Sequence, residues 1–197
     1  MSALLSDVDL LAQLVGFDST SHRSTSPIAD FIQGYAEAAG ARVERQPSPD
    51  GDKCNLIARF GPDGDGGLCL SGHMDVVPAT EPVWESDPFV LRDDGERLFG
   101  RGSVDMKGFV SLALNMAAGS RDLRRPLVVL LTYDEEVGMA GAKQVANDPA
   151  LSSTLPRATI VGEPTNLEVV RMHKGFAHVK VTVRGRSAHS AYPRPVS

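Results

Sequence analysis

The sequence predicts an α/β fold, a three-layer sandwich in which helices cover both faces of a mostly parallel sheet. Segments with the apolar period of a strand alternate along the chain with segments that have the period of a helix. The most hydrophobic segment, residues 127–133, begins with five consecutive apolar side chains. A continuous apolar run of this kind is typical of a strand that is buried on both faces, as in a parallel sheet.

Four helices are predicted, and the first two have clear start signals. Residues 6–15 carry apolar side chains at helical spacing, and Ser6 is the expected N-cap. In the second helix we expect Ser26 as the N-cap and Pro27 at the first helical position, with Gly40 ending the helix. The other two helices are expected over residues 107–118 and 141–146.

The strands are predicted from apolar and β-branched runs between turn residues. A turn rich in Gly, Asp and Pro, residues 61–67, separates two of them. The predicted strands are residues 42–46, 55–60, 68–71, 127–133 and 158–162.

Two further segments set the domain organisation. Residues 76–102 contain three prolines and no clear periodicity, and irregular segments of this length are usually functional. Residues 177–183 alternate apolar and polar side chains, which predicts a strand with one face in water. We therefore expect one domain over residues 1–172 and the start of a second, smaller α/β domain over residues 173–197.

Composition excludes several classes of function. The 197 residues carry 20 Lys and Arg against 25 Asp and Glu, and this mild acidity argues against a nucleic-acid-binding surface. No apolar run approaches the roughly 18 residues of a membrane span. The first residues lack a basic leader, and two cysteines fit a reducing compartment, so we expect a cytoplasmic location.

Acidic and histidine residues follow the predicted strands at their carboxyl ends. His73 and Asp75 come after one strand, Glu135 and Glu136 after the apolar strand, and Glu163 after the last. Ligands of open α/β sheets bind at this edge. One His with several carboxylates suits zinc, cobalt or manganese, and two metals bridged by one carboxylate would use this many ligands.

Each of these residues also has a purely structural interpretation. A single histidine such as His73 is more often structural than a metal ligand, and Asp105 could simply cap the following helix. The acidic run after residue 133 could be a solvated loop, and Glu163 before Pro164 could belong to a turn. The metal interpretation depends on all of them lying at strand ends together.

Six ordered motifs resemble one family, the dinuclear-zinc aminoacylases, deacetylases and exopeptidases. They are SGHMDVVP at 71–78, WESDPF at 84–89, LFGRGSVDMKG at 98–108, TYDEEVG at 132–138, GEPT at 162–165 and GRSAHS at 185–190. The resemblance implies a zinc-exopeptidase-like catalytic domain followed by a dimerisation domain, and a homodimer in the complete enzyme. It also implies two Zn²⁺ ions per subunit, with Co²⁺ as a possible substitute.

The resemblance also implies a role for each matching residue. His73 and Glu163 match ligands of one metal, Glu136 matches a ligand of the other, and Asp105 matches the bridging carboxylate, with a cis peptide bond before Met106. Three catalytic roles match as well: Asp75 orients His73, Glu135 is the general base, and His189 reaches the active site of the dimer partner.

Within the family, the motifs are most similar to those of acetylornithine deacetylases. The expected reaction is therefore metal-dependent removal of the acetyl group from N-acetyl-L-ornithine, a step of arginine biosynthesis. Succinyl-diaminopimelate desuccinylases, or another N-acyl amino acid hydrolase or metallo-exopeptidase, are the alternative. Family members are nearly twice as long and carry a further histidine ligand in their second half. The second alternative is therefore a truncated fragment that is inactive by itself.

Overall fold

The computed structural model describes residues 4–172, 175, 177 and 179–185. Its chain divides into two compact units, Met1–Pro164 and Thr165–Ser197. All helices and strands assigned among the described residues belong to the first unit. The domain boundary expected at residue 172 stays a prediction.

The first unit contains both helices and strands, with helices separating the strands from β5 onward. In chain order, the elements are α1 Asp7–Val15, α2 Ser26–Ala38, β1 Arg42–Pro47, β2 Cys54–Phe60, β3 Leu68–His73, β4 Arg92–Asp93, β5 Leu98–Phe99, α3 Lys107–Gly119, β6 Leu127–Thr132, α4 Ala140–Ala146, α5 Pro149–Ser152 and β7 Thr159–Val161. The short β4–β5 pair and α5 were not predicted. The longest helices in the described part of the chain have 13 residues, and none is long and apolar enough to span a bilayer.

Five strands form the central sheet in the order β1-β2-β6-β3-β7. β6 pairs in parallel with β3, and β3 pairs in parallel with β7, while β2 is antiparallel to both of its neighbours. Four of the five strands therefore run in the same direction, which confirms the prediction of a mostly parallel sheet. Because β3, β6 and β7 share this direction, their carboxyl ends lie at one edge of the sheet.

Helices cover both faces of the sheet, so the three-layer prediction is confirmed. Successive side chains of β6 point to opposite faces. Val129 and its alternate neighbours pack against α1, α2 and α3, whereas Val128 and Leu130 pack against residues of α4 and α5. Every residue of β6 is buried. Each large apolar side chain buried in this way contributes roughly 1.5–3 kcal/mol to folding.

The N-cap predicted for α1 is confirmed, whereas the one predicted for α2 is wrong. Ser6 caps α1, because its hydroxyl accepts a hydrogen bond from the Asp9 N–H at 3.1 Å. The predicted cap of α2 is wrong by one residue: Thr25 is the N-cap, and Ser26 is already helical. The Ser26 hydroxyl instead donates to the carbonyl of Asp52, which ties the start of α2 to the turn before β2.

The strand predicted over residues 177–183 is not found at the described positions 177 and 179–183. Val179, Val181 and Val183 are 77, 80 and 88% exposed, so nothing in the described part of the chain covers the alternating apolar side chains. Alternation alone does not form a strand, because backbone hydrogen bonds to a neighbouring strand are also required.

Candidate metal centre

The sheet and one helix start bring the predicted ligands to a single edge. His73 is the last residue of β3, the pair Glu135 and Glu136 follows β6, and Glu163 follows β7. Asp105 comes from the turn that leads into α3, and the expected cis peptide bond between Asp105 and Met106 is present. The carboxyl edge of the sheet therefore collects one imidazole and four carboxylates from four chain segments.

The donor atoms form two overlapping groups that share His73. In one group His73 lies with Asp105 and Glu136, and in the other it lies with Glu135 and Glu163. Within each group all donor atoms lie within 4.8 Å of one another. The Nε2 atom of His73 is 3.0 Å from Oδ1 of Asp105 and 3.9 Å from Oε1 of Glu163. His73 and Glu163 thus face the same space, which the metal hypothesis requires.

A backbone hydrogen bond fixes the orientation of His73. Its Nδ1 atom lies 2.8 Å from the main-chain carbonyl oxygen of Asp75 and 3.6 Å from the carboxylate atom Oδ1 of the same residue. A carbonyl oxygen can only accept, so Nδ1 carries a proton, and Nε2 is the ring nitrogen that would serve as a metal ligand. Asp75 was expected to orient His73, and in the structure its carbonyl rather than its carboxylate accepts this bond.

The Asp75 carboxylate contacts the next segment of the site instead. Asp75 is fully buried, and its two oxygens accept hydrogen bonds from three donors. These are the Ser21 hydroxyl at 2.7 Å, the Glu135 N–H at 3.0 Å and the Glu136 N–H at 3.2 Å. Asp75 therefore holds the backbone of the residues expected to be the general base and a metal ligand.

The charges of the site are unbalanced in a way that suits a cation. Burial, reinforced by the negative charge of Asp105, raises the pKa of Glu136 and of Glu163, although His73 acts in the opposite direction. Burial by itself would lower the pKa of His73, but Asp75, Asp105 and Glu163 outweigh it and raise that pKa. Carboxylates held this close favour either a proton or a divalent cation, and a set of one imidazole with carboxylates matches zinc-type metals.

Residues 69–196 match the sequence profile of Peptidase family M20/M25/M40. The chain belongs to this family. The resemblance predicted from the motifs is thereby confirmed, and all six motifs lie within the matched residues.

Two curated relatives in this family have the same name. The acetylornithine deacetylase of Myxococcus xanthus is 44% identical over 190 residues, which are 93% of this chain and 48% of the relative. That of Edwardsiella ictaluri (strain 93-146) is 39% identical over 179 residues, 89% of this chain and 46% of the relative. The chain therefore spans about half the length of the curated relatives it matches.

Solved structures of the M20 family have the same fold. Human carnosine dipeptidase 1 superposes with a TM-score of 0.64 at 25% identity, covering 79% of this chain and 38% of the dipeptidase. An M20 metallo-carboxypeptidase from Sulfolobus solfataricus gives a TM-score of 0.69 at 18% identity, covering 81% of this chain and 37% of the other. The second likeness concerns the fold alone.

One predicted M20 site residue lies outside the described residues, namely His189. Two residues that the sequence did not single out contact the site segments, namely Ser21 and Lys53, whose ammonium donates to the Asp134 carboxylate at 2.5 Å. A third, Lys107, is buried and follows Asp105 by two residues. The Lys107 ammonium donates to the Phe17 carbonyl at 2.7 Å, and burial lowers its pKa to about 7. Ser21 and Lys53 lie outside any periodic pattern, so the sequence carries no signal that they are buried. For Lys107, the only signal is its position inside the DMKG motif.

Proposed function

We propose that this chain carries the metal centre of an amidohydrolase that removes the acetyl group from N-acetyl-L-ornithine. The observation that carries the proposal is the convergence of His73 with four carboxylates at the carboxyl edge of the sheet. The substrate is inferred from the relatives named acetylornithine deacetylase, which are 39–44% identical over most of the chain.

The residues present fit divalent cations, for which Zn²⁺ is the first candidate and Co²⁺ the second, and the resemblance implies one further histidine ligand for the second ion. His73 and Glu163 would hold one ion, Glu136 the other, and Asp105 would bridge them. A bound divalent metal supplies Lewis acidity, which polarises the amide carbonyl and makes water acidic enough to lose a proton at neutral pH.

Glu135 is the proposed proton carrier. It takes a proton from the attacking water as the water oxygen bonds to the acetyl carbon, and gives it to the amide nitrogen as the carbon–nitrogen bond breaks. The products are acetate and ornithine. The hydrogen bond from the Glu135 N–H to Asp75 restricts the backbone that carries this side chain. His189 is proposed to donate a hydrogen bond to the carbonyl oxygen, where negative charge develops.

The test is acetate release from N-acetyl-L-ornithine by protein expressed from its complete gene, after EDTA treatment and after reconstitution with Zn²⁺ or Co²⁺. We expect turnover that depends on added metal. Absence of turnover with either metal, in protein that binds the metal by calorimetry, would contradict the proposed reaction. The 197-residue chain is assayed in parallel, because an inactive fragment is the alternative for this polypeptide alone.

Hydrolysis of a dipeptide is the second candidate function, favoured by the likeness to human carnosine dipeptidase 1. A substrate panel distinguishes the candidates: N-acetyl-ornithine, other N-acetyl amino acids, N-succinyl-diaminopimelate and unmodified dipeptides. Preference is measured as the ratio of kcat/KM values. A higher kcat/KM for the succinylated substrate or for a dipeptide than for N-acetyl-ornithine would reassign the substrate within the same chemistry.

We further propose a homodimer that acts in arginine biosynthesis in the cytoplasm. The dimer is expected because His189 matches a residue that serves the active site of the partner subunit in dimeric relatives. Light scattering coupled to size-exclusion chromatography tests it, and a monomeric mass for fully active protein would contradict it.

A further inference from the structure

We propose that Ser21 and Lys53 are positioning residues that set the backbone of Glu135 and Glu136, acting through the carboxylates of Asp75 and Asp134. The proposal deepens the function proposed above and rests on it for the role of Glu135. Ser21 bonds to the Asp75 carboxylate and Lys53 to the Asp134 carboxylate, so both would act through these residues.

Ser21 belongs to a segment that is pinned against the residues after β3. Ser21 N–H donates to the Val76 carbonyl, and Val76 N–H donates to the Ser19 carbonyl, each at 3.1 Å. This short ladder places the Ser21 hydroxyl 2.7 Å from Oδ2 of the fully buried Asp75. The same oxygen accepts the Glu136 N–H, while the other oxygen accepts the Glu135 N–H. Ser21 therefore fixes the rotation of the carboxylate that both backbone N–H groups depend on.

Lys53 contacts both the Ser21 segment and the residue before Glu135. Its side chain is only 12% exposed, and its ammonium donates to the Ser21 carbonyl and to Asp134 Oδ1, each at 2.5 Å. Asp134 has a φ of 54°, in the left-handed region that non-glycine residues rarely adopt, and it directly precedes Glu135. Lys53 thus joins the Ser21 segment to the residue at which the chain turns from β6 into the site.

These contacts form one connected path from the protein interior to the expected general base. A buried carboxylate with three donors is held in one orientation, and losing one donor leaves a charged acceptor less well satisfied. A catalytic group that is held less firmly in its productive position gives a lower catalytic rate, even where the fold is unchanged. A purely structural role for Ser21 would instead lower stability without affecting the Glu135 turn selectively.

The test is amide hydrogen exchange by NMR on the metal-free chain, comparing Ser21→Ala, Ser21→Thr and Ser19→Ala. We expect Ser21→Ala to accelerate exchange of the Glu135 and Glu136 amides by about tenfold, the equivalent of one hydrogen bond, with the Leu130 amide of β6 unchanged. Ser21→Thr keeps the hydroxyl and should restore slow exchange. Ser19→Ala is the matched control, because this buried hydroxyl donates to the Met74 carbonyl rather than to Asp75.

Lys53→Met is a second variant that probes the same path, and we expect it to accelerate Glu135 exchange while Lys53→Arg partly restores it. The activity readout on the reconstituted complete protein is a kcat reduced about tenfold by Ser21→Ala, with KM within about twofold. If the parent protein hydrolyses no N-acyl amino acid, the proposed function fails while the exchange result still stands. Unchanged exchange at Glu135 and Glu136 in both Ser21→Ala and Lys53→Met, or equal acceleration at Leu130, would overturn the positioning role.

Discussion

Replacing Glu136 by Gln should make the metal-free protein more stable and weaken its response to metal. Glu136 lies in one donor group with Asp105 and His73, and burial together with the Asp105 charge raises its pKa. Two like charges 4.8 Å apart, the upper limit for this group, repel by about 1 kcal/mol in water and by about 3 kcal/mol at an effective dielectric constant of 20. The lower figure suits a half-buried side chain beside solvent.

The expected shifts in melting temperature follow from these energies. For a chain of this size 1 kcal/mol corresponds to roughly 2–4 °C, so Glu136→Gln should melt about 2–4 °C higher than the parent in EDTA. Metal at a hundred times its Kd should stabilise the parent by about 2.7 kcal/mol, or about 5–11 °C, and the variant by clearly less. Differential scanning calorimetry in EDTA and in Zn²⁺ measures both shifts.

The pH dependence provides an independent check on the same variant. A carboxyl whose pKa is raised in the native state holds its proton more tightly there than in the unfolded chain. Its ionisation therefore lowers stability as the pH rises above the unfolded value of 4.5, and the full cost is present above the raised native pKa. The advantage of Glu136→Gln should be greatest at neutral pH and should disappear as the pH approaches 4.5.

The control is Glu96→Gln, the same change on an exposed residue of the β4–β5 turn. We expect it to alter neither the stability in EDTA nor the response to metal. If Glu136→Gln melts below the parent in EDTA, or keeps the full metal-induced rise, the carboxylate cluster is not under charge repulsion and the metal assignment of Glu136 is wrong.

Three further predictions test the base, a turn and a buried thiol. Glu135→Gln in the reconstituted complete protein should retain metal by elemental analysis but lose about 10²–10⁴ in kcat, and near-normal turnover would move the base elsewhere. Gly67→Ala should cost at least about 3 kcal/mol in urea unfolding, because φ is 86° and a Cβ would overlap the Pro126 carbonyl oxygen. Gly51→Ala, at a φ of 80° with open space around it, should cost less than half as much. Burial raises the pKa of the Cys69 thiol to about 11. Disulfide reagents at pH 8 should therefore modify Cys69 only as fast as the protein unfolds. The free energy of unfolding should fall from pH 9 to 11, because the thiol ionises in the unfolded chain before it ionises in the folded protein.

The elements that periodicity predicted well are those with strong local signals. β6 was predicted because a strand buried on both faces is apolar throughout, and α1 because a capping serine precedes an apolar helical face. The β4–β5 pair has two residues in each strand, too few to establish a period. The segment 177–183 had the period of a strand, but a strand also depends on a partner, which the pattern does not contain.

The part of the site that follows parallel strands was predictable from the order of the elements along the chain. Parallel strands bring their carboxyl ends to one edge, so the sequence alone groups His73, Glu136 and Glu163. The contacts of Ser21 and Lys53 could not be predicted in this way. Ser21 meets Asp75, 54 residues away in the chain, and Lys53 meets Asp134, 81 residues away, and a sequence pattern does not show which atoms of such distant segments meet. Neither residue type predicts a buried hydrogen-bond donor in an irregular segment.

The acidic residues of the site differ in burial, and this difference separates a structural carboxylate from those proposed to bind metal. Asp75 is fully buried and accepts three hydrogen bonds from the protein, so its negative charge is compensated internally. Asp105 and Glu163, with side chains 46 and 39% exposed, face the His73 nitrogen that the backbone leaves free. A carboxylate whose charge is balanced by hydrogen-bond donors of the protein stabilises the structure. Carboxylates that lie close together without such donors are available to a cation. The same sheet edge can therefore be rigid around Asp75 and still leave the carboxylates of Asp105 and Glu163 free for the proposed metal, because only Asp75 takes its hydrogen-bond donors from the protein interior.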